Sequence, residues 1–412
     1  GGLGFVGAPL KFTFGGATGF FFYNFVFSLS PPRLSVAAAH GEIYQNKTYI
    51  LYYCIMKAII QDLNFNQIKA LTAECGQPSF RAKQLYEGLT QGKDISQIST
   101  LPTSFKERLL RDFEDCAIKI EQVFTGADGT KKFLFRLADG NIIEGVLMSY
   151  KYGNTQCVST QVGCRMGCKF CASTLNGRLR DLTSGEILSQ ILKVNAYSGG
   201  AKDKRAVTNV VLMGSGEPFD NYANVVSFLK NLTSAEGLNV SPRNISLSTC
   251  GLVDKMYAFA EEGIPLNLTV SLHATTDEER ARTMPIARKW SISRILAACE
   301  NYFAKTGRRY IFEYSLIEGE NCDKRHAEQL IELLKGKPCH VNLIRLNEVK
   351  ERTLKATDEK SAYRFLGLLE KGGLSATLRR QIGADIGGAC GQLRAKYLSD
   401  NEGVDGAENE DN

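Results

Sequence analysis

The feature that most restricts the fold of this chain is the alternation of strand-like and helical segments from about residue 157 onward. Short apolar runs typical of buried strands recur at 207–213, 244–248, 266–272, 310–316, 340–346 and 375–379, with helical patterns between them. The best marked helix begins at Thr183-Ser184-Gly185-Glu186, which has the form of a capping box. This order predicts βα units that form a parallel sheet, either barrel-like or open.

Two segments of different character precede this region. Residues 56–126 carry apolar side chains at helical spacing, and residues 80–86 mix basic with apolar positions. We expect a helical accessory domain there that binds RNA, although a plain helical cap fits the same pattern. Residues 127–156 alternate apolar and polar side chains around a turn at Asp139-Gly140, which predicts a short β extension. The core is then expected at 157–396.

The two ends of the chain differ from its body. Residues 1–55 are rich in Gly and Phe, and Met56 opens a segment of another composition. We interpret residues 1–55 as a non-native, disordered extension, with Met56 as the native start. The uncharged stretch at 12–30 leaves a membrane anchor as the alternative, although polar residues interrupt it. Residues 397–412 form an acidic tail that we expect to be disordered.

Cysteine content and charge narrow the class of protein. The 412 residues include 12 cysteines, most of them isolated in sequence, whereas secreted disulfide scaffolds are shorter and denser in cysteine. This favours a reducing, cytoplasmic location. The net charge of +6 includes the acidic tail, so the body of the chain is more basic than that sum. RNA is a possible partner on this ground, and an ordinary basic enzyme surface fits equally well.

Three cysteines stand close together in a glycine-containing loop that follows a strand-like run. Cys164, Cys168 and Cys171 have the spacing C-x3-C-x2-C. Thiolates are the usual ligands of iron–sulfur clusters, whereas a closed zinc site needs four ligands and no histidine lies in this loop. The pattern predicts a 4Fe–4S cluster with one iron open to a cofactor. A structural zinc site is the alternative.

Polar residues follow several of the predicted strands. Gly214-Ser215-Gly216-Glu217-Pro218 comes after one apolar run, and Ser248, His273 and Asn347 stand at the ends of others. In parallel α/β barrels the carboxyl ends of the strands form the active site. We therefore expect these residues to surround a ligand, with the Glu217 carboxylate accepting hydrogen bonds from an ammonium group.

The cysteine spacing, with Phe170 before the last cysteine, resembles the signature of the radical S-adenosylmethionine (SAM) superfamily. The resemblance implies that SAM binds the open iron through its amino and carboxylate groups. Reductive cleavage of SAM then gives a 5′-deoxyadenosyl radical. It also implies an α/β fold with a partial (βα)6 barrel, a small helix-hairpin-helix-like N-terminal domain and a short β extension.

From about Met56 to Lys396 the combination of motifs resembles the RlmN family, whose members methylate C2 of adenine in 23S ribosomal RNA and in tRNA. The resemblance assigns the reaction to Cys390, Glu144 and Cys157. Cys390 takes a methyl group from one SAM, and the radical from a second SAM activates it for addition to adenine. Glu144 takes the C2 proton, and Cys157 resolves the protein–RNA crosslink through a transient disulfide with Cys390.

The same resemblance implies which residues contact the cofactor. The SAM-contacting positions of the family match Gly216, Glu217, Ser248, Ser271, Leu272, His273 and Asn347. The chain departs from the family at Gly387-Gly388, where Asp-Ala is typical, and at Cys250, where Ser is usual. The two glycines put the stiffness of the Cys390 loop in doubt.

The resemblance also implies partners and leaves two rivals. Expected partners are 23S rRNA, tRNA and a reducing protein such as flavodoxin or ferredoxin, with no membrane, for a monomeric enzyme. One rival is the sister Cfr-like family, which methylates C8 of adenine, although Val162 and Pro218 fit the C2 family better. The other is a non-catalytic RNA-binding protein with a structural metal.

Overall fold

The computed structural model describes residues 57–201, 204–380, 382–383 and 386. The predicted N-terminal extension 1–55, the acidic tail 397–412 and Cys390 lie outside the described residues.

The described part of the chain begins with a small helical segment. Its helices are α1 (Phe65–Glu74), α2 (Phe80–Thr90) and α3 (Thr103–Asp112). Asn64 starts α1 through a capping box. The Asn64 side chain accepts from the Gln67 N–H, and the Gln67 side chain accepts from the Asn64 N–H. The three helices bury a separate apolar core that includes Leu85 and Phe105.

An antiparallel ladder follows, made of β1 (Ile118–Thr125), β2 (Lys131–Leu137), β3 (Ile142–Tyr150) and β4 (Gly153–Cys157). The predicted turn at Asp139-Gly140 joins β2 to β3. The helical pattern expected up to residue 126 is wrong beyond Asp112, since β1 occupies the end of that segment. A register shift between Ile120 and Gln122 breaks the alternation of β1, and this irregularity hid the strand from a period-two pattern.

The ladder continues into a parallel sheet. Its further strands are β7 (Asn209–Leu212), β8 (Ile245–Thr249), β9 (Asn267–Ser271), β10 (Tyr310–Leu316), β11 (Cys339–Arg345) and β12 (Ala376–Leu378). Two short strands, β5 (Gln161–Gly163) and β6 (Arg178–Asp181), pair apart from this sheet. Each predicted strand-like run overlaps one of the parallel strands, with ends that differ by at most two residues.

Helices connect the parallel strands. They are α4 (Ser184–Tyr197), α5 (Tyr222–Thr233), α6 (Val253–Glu261), α7 (Asp277–Thr283), α8 (Ile292–Thr306), α9 (Lys324–Leu334) and α10 (Glu359–Lys371). The order β4-β7-β8-β9-β10-β11-β12 has a helical crossover at each step, which gives six βα units. The ten-stranded sheet ends at β1 and β12 and does not close. The predicted partial (βα)6 barrel is confirmed.

The main core lies between this sheet and its helices. Phe133, Ile187, Val210 and Phe312 are fully buried in it. The predicted capping box of α4 is present, with Glu186 N–H donating to Thr183 Oγ1 at 3.2 Å. Within the described part of the chain, no helix has both the length and the apolar composition that crossing a membrane requires.

Candidate active site

The predicted cluster loop is held at its base by the β5–β6 pair. Gly163 ends β5 with a φ of 77°, and a Cβ added there would lie 2.0 Å from the carbonyl oxygen of Gly177. The next residue, Cys164, donates its N–H to the same carbonyl at 2.9 Å. Only glycine fits a position with both a left-handed backbone and such a close approach. The loop therefore starts in a fixed direction.

The three cysteines of this loop line one cavity of about 670 Å³. Cys164 and Cys168 are buried, and Cys171 is partly buried. Thr174 Oγ1 donates to the carbonyl oxygens of Cys168 and Cys171, at 3.1 and 2.9 Å. These bonds fix the backbone of the loop whose three cysteines line the cavity.

Burial raises the pKa of the Cys164 thiol to about 12, and it raises the pKa of Cys168 as well. Bare thiolates are therefore disfavoured here, and bound metal would be needed to hold them deprotonated. No group of three His, Cys, Asp or Glu side chains is arranged for a single ion in the described residues. A cubane distributes its thiolates over separate irons, so this donor set fits a cluster better than zinc.

The turn after β7 packs tightly against β5. Gly216 has a φ of 108°, and a Cβ there would lie 2.7 Å from the backbone nitrogen of Gln161. Glu217 donates its N–H to the Gln161 side chain at 2.8 Å. Gly216 and Glu217 both line the cavity that holds the three cysteines. The turn thus lies against the strand that leads into the cluster loop.

The Glu217 carboxylate is buried, and protein groups donate to both of its oxygens. It accepts from Thr249 Oγ1 at 2.6 Å, from the Cys250 N–H at 2.7 Å and from the Phe219 N–H at 3.1 Å. Burial raises the pKa of this carboxyl group. An ammonium group in the cavity would favour the ionised form, and a carboxylate has acceptor positions for one. The expected contact between Glu217 and SAM stays a prediction.

Other predicted contact residues divide into two groups. Ser248, Ser271, His273 and Asn347 line the same cavity, each near the carboxyl end of its strand. Leu272 does not, because its side chain is fully buried in the main core. Its contribution to a ligand site is therefore limited to its backbone.

His273 has an unusual conformation that selects one tautomer. Its φ is 57°, a left-handed backbone value that residues other than glycine rarely adopt. Nδ1 accepts from the Ser315 N–H at 2.9 Å, so the ring proton lies on Nε2. Burial lowers the pKa of His273 to about 3, and the Arg280 charge adds to this effect. The imidazole is thus a neutral hydrogen-bond donor in the cavity wall.

Two of the predicted catalytic residues, Glu144 and Cys157, lie in the described part of the chain, on the neighbouring strands β3 and β4. Cys157 ends β4, is 6% exposed and lines the cavity together with the three cluster cysteines. It pairs with Val146 of β3 in the ladder. Glu144 lies two residues before Val146 and so shares its face of the strand. Glu144 is buried beside the cavity wall without lining it.

The chain after β12 turns back toward the first strands of the sheet. Ile382 lines the cavity, and the Gly383 N–H donates to Asp128 Oδ2 at 2.9 Å. Asp128 stands in the turn between β1 and β2. The segment that precedes Cys390 in sequence is therefore attached at the end of the sheet that contains β2 and β3.

Sequence reasoning missed residues that support the site. Arg280 is fully buried and donates to the carbonyl oxygens of Cys250, Ser271 and Leu272. Its neighbours in α7 are charged, which is typical of an exposed helix, so no signal marked it. Asn321 donates to the carbonyl oxygen of His273 at 2.9 Å. It lies in a loop, where an Asn is ordinarily read as a turn residue.

Comparison with known proteins identifies relatives that cover most of the chain. Residues 158–334 match the model of the radical SAM superfamily. A probable dual-specificity RNA methyltransferase RlmN from Clostridium botulinum strain Alaska E43 is 48% identical over 349 residues, covering 84% of this chain and 99% of that protein. The protein of the same description from Lachnoclostridium phytofermentans is 46% identical over 344 residues, covering 83% and 95%.

A solved structure agrees with this relation. The crystal structure of a radical SAM methyltransferase from Sphaerobacter thermophilus is 37% identical, with a TM-score of 0.77, and the match covers 81% of this chain and 98% of that one. The superfamily generally uses SAM and a 4Fe–4S cluster, which suit the cavity's three thiols and its buried carboxylate. The chain therefore belongs to the RlmN family of dual-specificity RNA methyltransferases, within the radical SAM superfamily.

Proposed function

We propose that this protein methylates C2 of adenine in 23S rRNA and tRNA, with Cys390 as the carrier of the methyl group. The observation that carries this proposal is the position of Cys157 in the wall of the cavity that holds Cys164, Cys168 and Cys171. A thiol so placed can meet a carrier cysteine where a radical is generated. A purely structural metal site does not require an additional thiol such as Cys157.

The residues that would hold the cofactors have separate tasks. The three loop cysteines would ligate a 4Fe–4S cluster, and the Glu217 carboxylate would accept from the amino group of SAM. The His273 Nε2–H would donate to an acceptor on the same ligand. Gly216, Ser248, Ser271, the Leu272 backbone and Asn347 would complete the SAM contacts. Bound together and given one electron by a protein such as flavodoxin or ferredoxin, these cofactors supply a 5′-deoxyadenosyl radical.

A carrier cysteine solves a chemical problem. Adenine C2 is electron-poor, so direct polar transfer of a methyl group to it is unfavourable. Cys390 would first become S-methylated, lose a hydrogen atom to the radical, and then bond to C2 through its methylene carbon. Cys390 follows Ile386 by four positions, so their Cα atoms lie at most about 14 Å apart. Because Ile382 lines the cavity, this reach supports Cys390 as a thiol that acts there.

Release of the product would need Glu144 and Cys157. Addition to C2 leaves an unpaired electron on the ring, which would have to pass to an electron acceptor, for which the oxidised cluster is suited, and Glu144 would remove the proton from C2. The Cys157 thiolate would attack the Cys390 sulfur, forming a disulfide, while the carbon–sulfur bond breaks and its electron pair stays on carbon. That carbon takes up a proton and becomes the methyl group of the product. Reduction of the disulfide would restore both thiols, as a reducing compartment allows.

RNA binding by the helical segment is a further part of the proposal. Phe80 is 53% exposed, and the Arg81 guanidinium lies 4.8 Å from the centre of its ring. Lys69 lies over Phe65 in the same way, at 5.0 Å. The exposed Phe80 ring suits stacking on a base, and the two adjacent cations suit contact with phosphates. We assign the first contact with folded RNA to this surface.

Serine variants test the roles of the two cysteines. Cys390→Ser should abolish methylation of the protein by SAM, because no thiol remains to accept the methyl group. Cys157→Ser should accumulate a covalent protein–RNA adduct, because the crosslink forms but is not resolved. The adduct is measured on denaturing gels after anaerobic reaction with unmodified rRNA.

A third variant serves as the matched control. Cys75→Ser changes a partly buried cysteine at the end of α1 and should behave like the wild type. Normal turnover by Cys157→Ser, with no adduct, would show that the assignment of Cys157 is wrong.

A further inference from the structure

A fully buried lysine lies beside the carboxylate to which the C2 proton is assigned. The Lys132 side chain is 0% exposed, and its Nζ lies 3.7 Å from Glu144 Oε2. The Glu144 side chain is 6% exposed. Lysine is among the residues most rarely buried, because removing an ammonium group from water is costly. Its place in this interior therefore calls for a reason.

Strand pairing brings the two side chains together. In the antiparallel ladder Lys132 pairs with Val146, and Leu134 pairs with Glu144. Lys132 and Glu144 are thus diagonal neighbours on one face of the sheet, within reach for long side chains. The opposite face carries Phe133, which packs into the main core. Two paired strands fix the distance, so it does not depend on a loop.

Stability alone is a weak reason for this pair. Replacing a buried ion pair by well-packed apolar residues is often neutral or stabilising, because both charges lose their hydration. Val146 lies next to Glu144 on that face of β3 and pairs with Cys157 of β4. Both Val146 and Cys157 line the cavity. The pair therefore adjoins the cavity, where a charge can serve chemistry.

We infer that Lys132 is a positioning residue for proton transfer at adenine C2, holding the Glu144 carboxylate in place through the contact of its Nζ with Oε2. This role rests on the function proposed above for Glu144. The buried ammonium group attracts the carboxylate, and this attraction restricts the positions that the Glu144 side chain can adopt. In the step itself the C2–H bond breaks, the electron pair stays with the ring and the proton passes to a Glu144 oxygen. No bond to Lys132 changes.

The test separates the steps of the reaction in the reconstituted holoenzyme. Lys132→Met keeps the length of the side chain and removes its charge, whereas Lys132→Arg keeps the charge. The first step, S-methylation of Cys390, does not involve the C2 proton, so Lys132→Met should retain it. Release of methylated RNA should slow by roughly 100-fold, within the range of general base catalysis, and the adduct should accumulate. Lys132→Arg should recover most of this loss.

Lys131→Met is the matched control. Lys131 precedes Lys132 on β2 and points to the other face, with its Nζ 5.2 Å from the centre of the Tyr197 ring. This variant should release product at the wild-type rate. If Lys132→Met is poorly folded, Lys132→Gln takes its place, since it keeps a hydrogen-bond donor and removes the charge.

A double variant shows whether Lys132 acts through Glu144. Adding Lys132→Met to Glu144→Gln should cause no further slowing, since the two changes remove one function. If the double variant slows product release by the product of the two single effects, the inference is wrong. Product release by Lys132→Met at the wild-type rate would overturn it too. Absence of Cys390 methylation in the wild type would instead refute the proposed function, so the two failures are distinguishable.

Discussion

His273 shows how the surroundings of one residue decide its chemistry. The Ser315 N–H donates to Nδ1, and burial lowers the pKa of the imidazole to about 3. A histidine in such a place neither shuttles protons nor carries charge at neutral pH. It can only donate from Nε2, which is the property that a fixed contact to a cofactor requires.

This state predicts a pH response. The unfolded chain protonates His273 near pH 6.5, whereas the folded protein does so near pH 3. Because the unfolded state binds the extra proton first, His273 contributes stability above pH 6.5 that is lost as the pH falls toward 3. By NMR, its ring nitrogen shifts should stay constant between pH 5 and 8.

His273→Asn separates this contribution from general acid denaturation. The variant should lose less stability than the wild type between pH 7 and 5, since it has no imidazole to protonate. A His273 titration midpoint near pH 6.5 in the folded wild type would contradict the account.

At the residue scale, local motifs were predictable and their supports were not. The three loop cysteines and Glu217 could be named because their spacing along the chain carries the chemistry. Lys132 looked like an outward-facing polar position in an alternating strand, and Arg280 looked like a surface residue of α7. Both are buried by partners distant in sequence, which no local pattern contains.

At the scale of elements, one aspartate attaches the helical segment to the core. Asp62 Oδ1 accepts from Ser184 Oγ at 2.9 Å and from the Gly185 N–H at 2.5 Å, in the first turn of α4. Both donors lie where a helix leaves N–H groups unsatisfied and favours negative charge. Contact through this turn brings the predicted RNA-binding segment against the core.

Asp62→Ala should destabilise the protein by about 1–2 kcal/mol, because it leaves the Gly185 N–H and the Ser184 hydroxyl without this acceptor. The shift in the urea unfolding midpoint measures this loss. Asp112→Ala is the matched control, since Asp112 is an exposed partner of Arg108 and such pairs contribute at most about 1 kcal/mol. Equal midpoints for the two variants would show that Asp62 does not hold the segment.

Element types were largely predictable from the sequence, and their exceptions have physical causes. Buried parallel strands and capped helices follow from apolar runs and capping residues, as in Tyr310–Leu316 and α4. The strand β1 was missed because its register shift removes the alternation that a strand otherwise shows. The β5–β6 pair was also missed, since strands of three and four residues are too short to carry a period.

At the scale of the whole molecule, the cavity gathers residues from distant parts of the chain. Cys157, His273 and Asn347 line the same space although they belong to different βα units. The rule that strand ends form the active site predicted this gathering in general terms. The sequence pattern alone does not join Cys390 to it, because a lone cysteine near a chain end has no spacing to interpret. That link comes from the family.

We propose that this cavity carries out methylation at adenine C2. The most direct test is anaerobic reaction of the iron-loaded protein with SAM, a reductant and unmodified 23S rRNA, followed by nucleoside analysis by chromatography and mass spectrometry. We expect 2-methyladenosine as the main product, formed together with 5′-deoxyadenosine. A main product of 8-methyladenosine, or a zinc-loaded protein that leaves SAM intact, would contradict it.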